Sequence, residues 1–165
     1  MAGRDEPLIG LEPDFEARWP GASALATTLL INIEYTRQRS IAHLEGIVRT
    51  HGLSSMTAYN ALAIIEGAGE PLSPSTIAER MVMSRGTMTE IVDTLERHGL
   101  VRRLAQTGDR RRRLVEATSE GSERLAALRP ALHQAERRLV RALSEEEQRQ
   151  MLRFVAALQS DLPAL

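Results

Sequence analysis

Apolar side chains recur at helical spacing over much of the chain. Between Ala22 and about Thr50 they form an approximate helical stripe, which predicts one long helix ending at the His51-Gly52 pair. A second apolar run follows, with Ser54 or Ser55 as its cap, and Gly67 stands at its end. The stretch from Ala22 to Gly67 is therefore predicted to form two helices.

Two shorter helices are predicted next. Ser73-Pro74 is a strong helix start, because serine caps the helix and proline suits its first position. This helix runs to about Met81. Ser84 then caps another helix that reaches His98 and stops at Gly99. The side chains expected to point inward from it are Met88, Ile91, Val92 and Leu95.

After Gly99 the spacing of apolar residues is no longer that of a helix. Residues 100–104 (LVRRL) and 113–117 (RLVEA) are two short strand predictions, and the stretch between them, AQTGDRRR, is typical of a turn. This arrangement predicts a β-hairpin with arginines at and beside its tip.

Two long helices are predicted to close the chain. Thr118 or Ser119 caps the first, and its apolar positions alternate at spacings of three and four: Leu125, Leu128, Leu132, Ala135, Leu139 and Ala142. Such a seam can be intramolecular core or a dimer interface, and we favour the dimer interface. Ser144 and Glu147 form a capping box at the start of the last helix, whose apolar face holds Leu152, Val155, Leu158 and Leu162.

The order of elements predicts a mainly α fold with a small β-hairpin wing, a winged helix-turn-helix flanked by long helices. We expect an N-terminal extension at 1–21 and a helical dimerisation region at 22–53 and 119–165. The DNA-binding lobe is expected at 54–118.

Charge and composition restrict the classes of function that the sequence allows. All 21 basic residues are arginine, and residues 73–118 hold nine arginines against six acids although the whole chain has a formal charge of −1. This basic segment favours a polyanionic partner. Cysteine is absent, which excludes disulfides and thiolate chemistry. No apolar run reaches the roughly 18 to 20 residues that span a bilayer, so we expect no membrane partner and a cytoplasmic location.

The predicted helix after Ser84 is suited to the DNA major groove. Arg85 can pair with guanine, Thr87 and Thr89 can reach phosphates or a thymine methyl, and Gly86 permits close backbone approach. Ser84 and Met88 complete the predicted recognition set, with Ser75 and Thr76 on the preceding helix in support.

The hairpin tip is predicted to lie beside the minor groove, where inserted arginine is favoured. Arg111 is the predicted minor-groove residue, and Arg110 and Arg112 are predicted phosphate contacts. Asp109 is predicted to order the turn with its carboxylate.

These segments resemble a known family. LSPSTIAERMVMSRGTMTEIVDTLERHGLVRR followed by GDRRRRLVEATSEG is similar to the winged-helix core of the MarR family of bacterial transcriptional regulators. Asp109 and Arg111 match the family's Asp-x-Arg wing signature, whereas Val82 stands in the turn where many members have glycine. The resemblance implies that the protein is a homodimer that binds a palindromic double-stranded DNA operator. Members of the family are usually repressors, and a small, often aromatic ligand releases many of them from DNA.

Other residues give weaker signals. Four aromatic or imidazole side chains could line a ligand pocket: Trp19, Tyr35, His43 and Tyr59. The histidines lack close ligand spacing and no nucleophile-base set is present, so we expect no metal, no cofactor and no enzyme. Two alternatives remain open, a nonspecific nucleic-acid-binding architectural protein and a winged-helix protein-interaction module.

Overall fold

A computed structural model of the protein describes residues 8–105 and 113–162, and within these ranges the chain forms seven helices and one antiparallel strand pair. It divides into two compact units, the first ending at His43 and the second beginning at Leu44. No helix in the described ranges is both long and apolar enough to cross a membrane. The elements are α1 (Phe15–Arg18), α2 (Ala24–Thr50), α3 (Met56–Gly67), α4 (Pro74–Arg80), α5 (Arg85–Arg97), β1 (Val101–Ala105), β2 (Arg113–Ala117), α6 (Ser119–Leu139) and α7 (Glu145–Ser160).

Polar contacts hold the N-terminal segment against α2 within the first unit. The Asn32 side chain accepts the N–H of Ile9 and donates to its carbonyl oxygen, both at 2.9 Å. A Glu16 carboxylate oxygen accepts the N–H of Ala24 at 2.7 Å, at the first residue of α2. The described part of the predicted extension therefore has fixed main-chain contacts to the long helix.

Serine and threonine begin the helices of the second unit, as the sequence predicts. Ser55, Ser73, Ser84 and Thr118 each accept a main-chain N–H from the third residue beyond. The capping box at Ser144 is also confirmed, because the Glu147 side chain accepts the Ser144 N–H at 2.7 Å. These local signals explain why the predicted starts of these helices agree with the structure to within about two residues.

One apolar core unites the elements of the second unit. Helices α3, α4, α5 and α6 and the hairpin all contribute, and α2 adds Val48 near its end. The largest buried side chains are Leu62, Ile77, Met88, Leu95, Leu100, Leu125, Leu128 and Leu132. Gly121 allows α6 to start against the hairpin, because a Cβ there would lie 2.1 Å from the Leu100 carbonyl oxygen.

The leucine seam of α6 belongs to this core. Leu125, Leu128 and Leu132 are fully buried within the single chain, and Ala135 is 4% exposed. The prediction that the seam forms a dimer interface is therefore wrong for these residues, since the chain's own elements cover them. The helix ends at Leu139, so Ala142 lies beyond it.

The predicted hairpin is confirmed. Strands β1 and β2 pair antiparallel from Val101 opposite Ala117 to Ala105 opposite Arg113. Leu72, in the segment before α4, extends the sheet by one bridge to Val115, with N···O distances of 2.9 and 2.7 Å. The hairpin is thus attached to the helical part of the second unit through β2.

Helix α7 leaves its apolar face open in the single chain. Leu152, Val155 and Leu158 are 69%, 40% and 43% exposed, and Leu162, just after the helix, is 67% exposed. The predicted face therefore exists, and the chain's own core does not cover these side chains.

Candidate nucleic-acid interface

Helices α4 and α5 form a helix-turn-helix with a short turn at Met81–Met83. The Met83 N–H donates to the Ala78 carbonyl at 3.1 Å, which closes the turn onto α4. Val82 has a φ of +51° and is 68% exposed. Valine rarely adopts this left-handed conformation, so Val82 occupies the backbone geometry that glycine would adopt without strain.

Ser84 sets the start of α5. Its hydroxyl oxygen accepts the Thr87 N–H at 3.1 Å and lies 2.8 Å from the Thr87 hydroxyl. The Thr89 hydroxyl donates to the Arg85 carbonyl at 2.9 Å. Ser84, Arg85, Gly86, Thr87 and Thr89 are all exposed, so the structure brings five of the six predicted recognition residues together on the first turns of α5.

Met88 is the exception. Its side chain is fully buried in the core of the second unit, and a buried side chain cannot touch a base or a phosphate. The prediction of Met88 as a DNA contact is wrong. Because it lies one residue from Thr87 and Thr89, Met88 instead anchors the exposed turn to the core.

The first turn of α5 has an electropositive character. It contains no acid and begins with Arg85, although carboxylates near a helix N-terminus are the stabilising choice. Helix α7 follows that rule, with Glu145, Glu146 and Glu147 in its first turn. The Arg85 guanidinium and the first N–H groups of α5, apart from the Thr87 N–H that Ser84 accepts, can therefore face an anion.

Helix α4 begins with the same arrangement as α5. Ser73 accepts the Thr76 N–H at 3.1 Å, and the two hydroxyls lie 2.8 Å apart. Ser75 and Thr76 are half-buried, and the first turn again contains no acid. The two predicted supporting residues thus lie at a second helix start of the same chemistry.

The tip of the wing, with Asp109, Arg110, Arg111 and Arg112, lies outside the described residues. The strands that lead to it are described, and each carries ion pairs. Arg102 on β1 donates to Glu116 on β2 at 2.5 Å, on the exposed side of the hairpin.

Arg103 joins the wing to α5, and sequence reasoning missed it. Its guanidinium donates to Asp93 Oδ1 at 2.5 Å and to Glu96 Oε2 at 2.6 Å. Its main-chain N–H donates to Glu96 Oε1 at 3.1 Å. Burial disfavours the charge on Arg103, but the hydrogen bonds and attraction from Asp93 and Glu96 outweigh it, so its pKa is raised. The available signal was two acids three residues apart on one helix face, followed by an arginine on the next strand.

A second ion pair connects helices inside the second unit. Arg129 on α6 donates to Glu66 on α3 at 2.7 Å. This hydrogen bond, opposed by burial and supported by the attraction to Glu66, raises the pKa of Arg129. It fixes α6 against α3.

The four predicted ligand-pocket residues lie in different surroundings. In the first unit, Tyr35 lines a shallow cavity with Ile9, Leu30, Ile31, Glu34 and Gln38. In the second unit, Tyr59 lines a cavity with Asn60, Ala63, Ile64, Arg80 and Met81. Trp19 is 60% exposed, and His43 is exposed as well. A common pocket for these residues stays a prediction.

No metal site is evident in the part of the chain that the structure describes, since no three His, Asp or Glu side chains there are grouped to hold an ion. The described histidines have other contacts. His51 and His98 each hydrogen-bond through Nδ1 to a carbonyl one helical turn earlier, at 2.8 and 2.7 Å.

Comparison with known proteins agrees with this geometry. The sequence model of the MarR family matches residues 54–112. The chain is 29% identical over 117 residues to the HTH-type transcriptional regulator PapX of Escherichia coli, a match covering 70% of this chain and 69% of PapX.

Solved structures share the fold. A probable transcriptional regulator from Pseudomonas aeruginosa is similar with a TM-score of 0.68 and 26% identity, over 76% of this chain and 92% of that one. A mutant of the E. coli MarR protein, solved in complex with operator DNA, is similar with a TM-score of 0.70 and 19% identity. The match covers 90% of this chain and 98% of that one, and at this identity it shows the fold alone.

Proposed function

This chain belongs to the MarR family of winged helix-turn-helix transcriptional regulators, and from that premise we propose that it binds one operator sequence specifically. In this proposal it acts as a homodimeric repressor in the cytoplasm, and a small aromatic molecule releases it from DNA.

The exposed first turn of α5 supports DNA binding. Five polar or small residues are exposed together there, and no acid neutralises the N-terminus of the helix. A helix is narrow enough to enter the major groove, and its N-terminal residues are the ones that reach base edges. Arg85 pairs with guanine in this arrangement, while Thr87 and Thr89 contact phosphate or a thymine methyl.

Gly86 supports close approach of this turn to DNA. A Cβ at Gly86 would meet only the Ser84 hydroxyl, at 3.9 Å. No packing inside the protein therefore requires glycine, and glycine costs a helix about 0.5 to 1 kcal/mol relative to alanine. Close contact between the α5 backbone and DNA would explain why glycine is present at this position despite its lower helix stability.

The wing supplies the second part of the interface. Arg111 inserts into the minor groove, Arg110 and Arg112 contact phosphates, and Asp109 orders the turn that presents them. Helix α4 supports the docking through Ser75 and Thr76 at its own N-terminus.

The open apolar face of α7 supports the homodimer. Leu152, Val155 and Leu158 are 69%, 40% and 43% exposed in the single chain, and an exposed apolar surface of this kind marks an interaction site. A second copy offers the same surface in a two-fold interface. Two α5 helices held about 34 to 36 Å apart then fit successive major grooves of a palindromic operator.

Release by a ligand follows from that spacing. A molecule that binds better to a dimer with the wrong helix spacing shifts the population away from DNA. In the first unit, Trp19, Tyr35 and His43 are proposed contacts for an aromatic effector, and in the second unit Tyr59 is a separate one. Aromatic side chains make up only 3% of the sequence, which makes these few positions the natural places for stacking.

Selection of bound sequences from a randomised pool of double-stranded DNA by the purified protein tests the proposed function. The proposal expects one enriched palindrome whose half-sites are about 10 base pairs apart. Arg85→Ala is expected to relax the preference at one base pair, and Arg111→Ala to weaken binding to all sequences.

Arg97→Ala is the matched control for Arg85→Ala, because Arg97 lies in the last turn of the same helix and is also exposed. It is expected to keep the wild-type base preference. A pool that shows no enrichment, or an Arg85→Ala variant that selects the wild-type palindrome with unchanged strength, would contradict the proposed recognition helix.

A further inference from the structure

One rung of the hairpin ties both strands of the wing to the rest of the second unit. Arg103 on β1 lies opposite Val115 on β2. Val115 is tied to Leu72 by two main-chain hydrogen bonds, and Arg103 is tied to α5 through Asp93 and Glu96. Both strands are therefore held at the same level, and the hairpin extends from there toward its tip.

We propose that Arg103 is a positioning residue that holds the wing at a set angle to the recognition helix, so that the tip and α5 engage DNA together. The inference rests on the proposed function, because it concerns the same DNA interface. It adds a residue that touches no DNA and acts through Asp93 and Glu96.

The geometry of the contact suits this role. The Arg103 side chain is only 16% exposed, whereas the neighbouring Arg102 side chain is 68% exposed. Three N–H groups of Arg103 reach two carboxylates that stand one turn apart on α5. A planar guanidinium that spans two fixed acceptors restricts both the position and the orientation of the strand.

The position of Asp93 and Glu96 on α5 also supports a positioning role for Arg103. Arg85, Thr89 and Asp93 follow one another at intervals of four, so Asp93 continues the face of α5 that begins with the recognition residues. A free carboxylate on that face would repel DNA phosphates. The ion pairs with Arg103 offset the negative charge of Asp93 and Glu96, so the two acids are compatible with DNA binding at this position.

A double-mutant cycle on the full-length protein tests the inference, with dissociation constants for the selected operator measured by fluorescence anisotropy. In the wild-type background, Arg111→Ala is expected to weaken binding on the order of tenfold. In the Arg103→Gln background the wing is no longer held in place, so the same change is expected to cost less than about twofold.

Arg102→Gln is the matched control. It removes the same charge from the adjacent position of the same strand and breaks an ion pair, but that pair joins β1 to β2 rather than to α5. Arg111→Ala is expected to keep its roughly tenfold cost in this background. Arg103→Lys, which retains the charge and can reach one of the carboxylates, is expected to recover part of the coupling to Arg111.

Thermal unfolding of each variant verifies that binding is measured on folded protein. If Arg103→Gln does not fold, the double variant Asp93→Asn/Glu96→Gln replaces it in the cycle, because the two acidic side chains are 50% and 38% exposed and the change removes both charges that hold Arg103.

A full tenfold cost of Arg111→Ala in the Arg103→Gln or the Asp93→Asn/Glu96→Gln background would overturn the positioning role and leave the proposed function standing. An Arg111→Ala variant that binds like the wild type in every background would instead refute the proposed wing contact, and the inference with it.

Discussion

The hydroxyl of Ser84 lies 2.8 Å from the hydroxyl of Thr87 and accepts the N–H of the same residue at 3.1 Å. One short side chain thus begins the recognition helix and orients a residue that is proposed to contact DNA. Ser84 is therefore expected to contribute both to the stability of α5 and to DNA binding.

Ser84→Ala removes the cap of α5. Loss of such a cap costs about 1 kcal/mol of unfolding free energy, and it also frees the Thr87 side chain, so operator affinity should fall as well. Chemical denaturation and operator binding measure the two effects. Ser55→Ala is the control, since Ser55 caps α3 through the same bond at 3.1 Å. It should lose comparable stability and keep its affinity, and equal losses of affinity in both variants would refute the role of Ser84 in recognition.

Gly86→Ala is expected to separate stability from binding. Alanine in a helix is more stable than glycine by about 0.5 to 1 kcal/mol, and the site has space for a methyl group. The variant should therefore resist denaturant better and bind the operator more weakly, because the added methyl group faces DNA. Gly67→Ala in α3, which also has open space around it, should gain stability without losing affinity. Unchanged affinity in Gly86→Ala would contradict the close approach of this turn.

Val82→Gly is expected to stabilise the turn between α4 and α5. The left-handed backbone at Val82 costs a residue with a Cβ about 1 to 2 kcal/mol, and the greater flexibility of glycine in the unfolded chain offsets part of the gain. A net increase of about 0.5 to 1 kcal/mol in unfolding free energy is expected. Val82→Ala keeps the Cβ and should gain much less. If alanine stabilises the protein as much as glycine, the shape of the valine side chain rather than the backbone is the source of strain.

The carboxyl of Glu34 gives a prediction about pH. Hydrogen bonds from Arg37 and then from Gln38 favour its charged form and lower its pKa from 4.5 to about 2. Since the pKa is lower in the folded state, the stabilising effect is present above pH 4.5 and is lost as the pH falls toward 2. Carbon-detected NMR titration of Glu34 should have its midpoint near 2, and Arg37→Gln should move the midpoint up toward 4.5. A midpoint near 4.5 in the wild type would show that the pair with Arg37 does not form in solution.

The elements that sequence reasoning located correctly depend on local signals. The caps at Ser73 and Ser84, the glycine stop at Gly99 and the change of period into the hairpin each involve residues a few positions apart. Their physical cause, a hydrogen bond or a backbone preference, lies within the same short stretch.

The errors concern relationships between distant parts of the chain. Spacing of three and four in α6 is the same whether Leu125 and Leu128 face their own core or a second chain, so periodicity could not separate the two. Met88 was placed at the DNA because of its position near the helix start, although the same period turns its side chain inward. Arg103 was missed because its partners belong to another element, and no local pattern joins them.

The ratio of two dissociation constants shows whether α5 and the wing read a specific DNA sequence. The wild-type protein is titrated against its selected operator and against a scrambled duplex of equal length and composition, at the same salt concentration. A protein that reads the operator sequence should bind the operator at least about a thousandfold more tightly than the scrambled duplex. Equal affinity for the two duplexes would contradict sequence-specific binding and would favour a nonspecific nucleic-acid-binding protein.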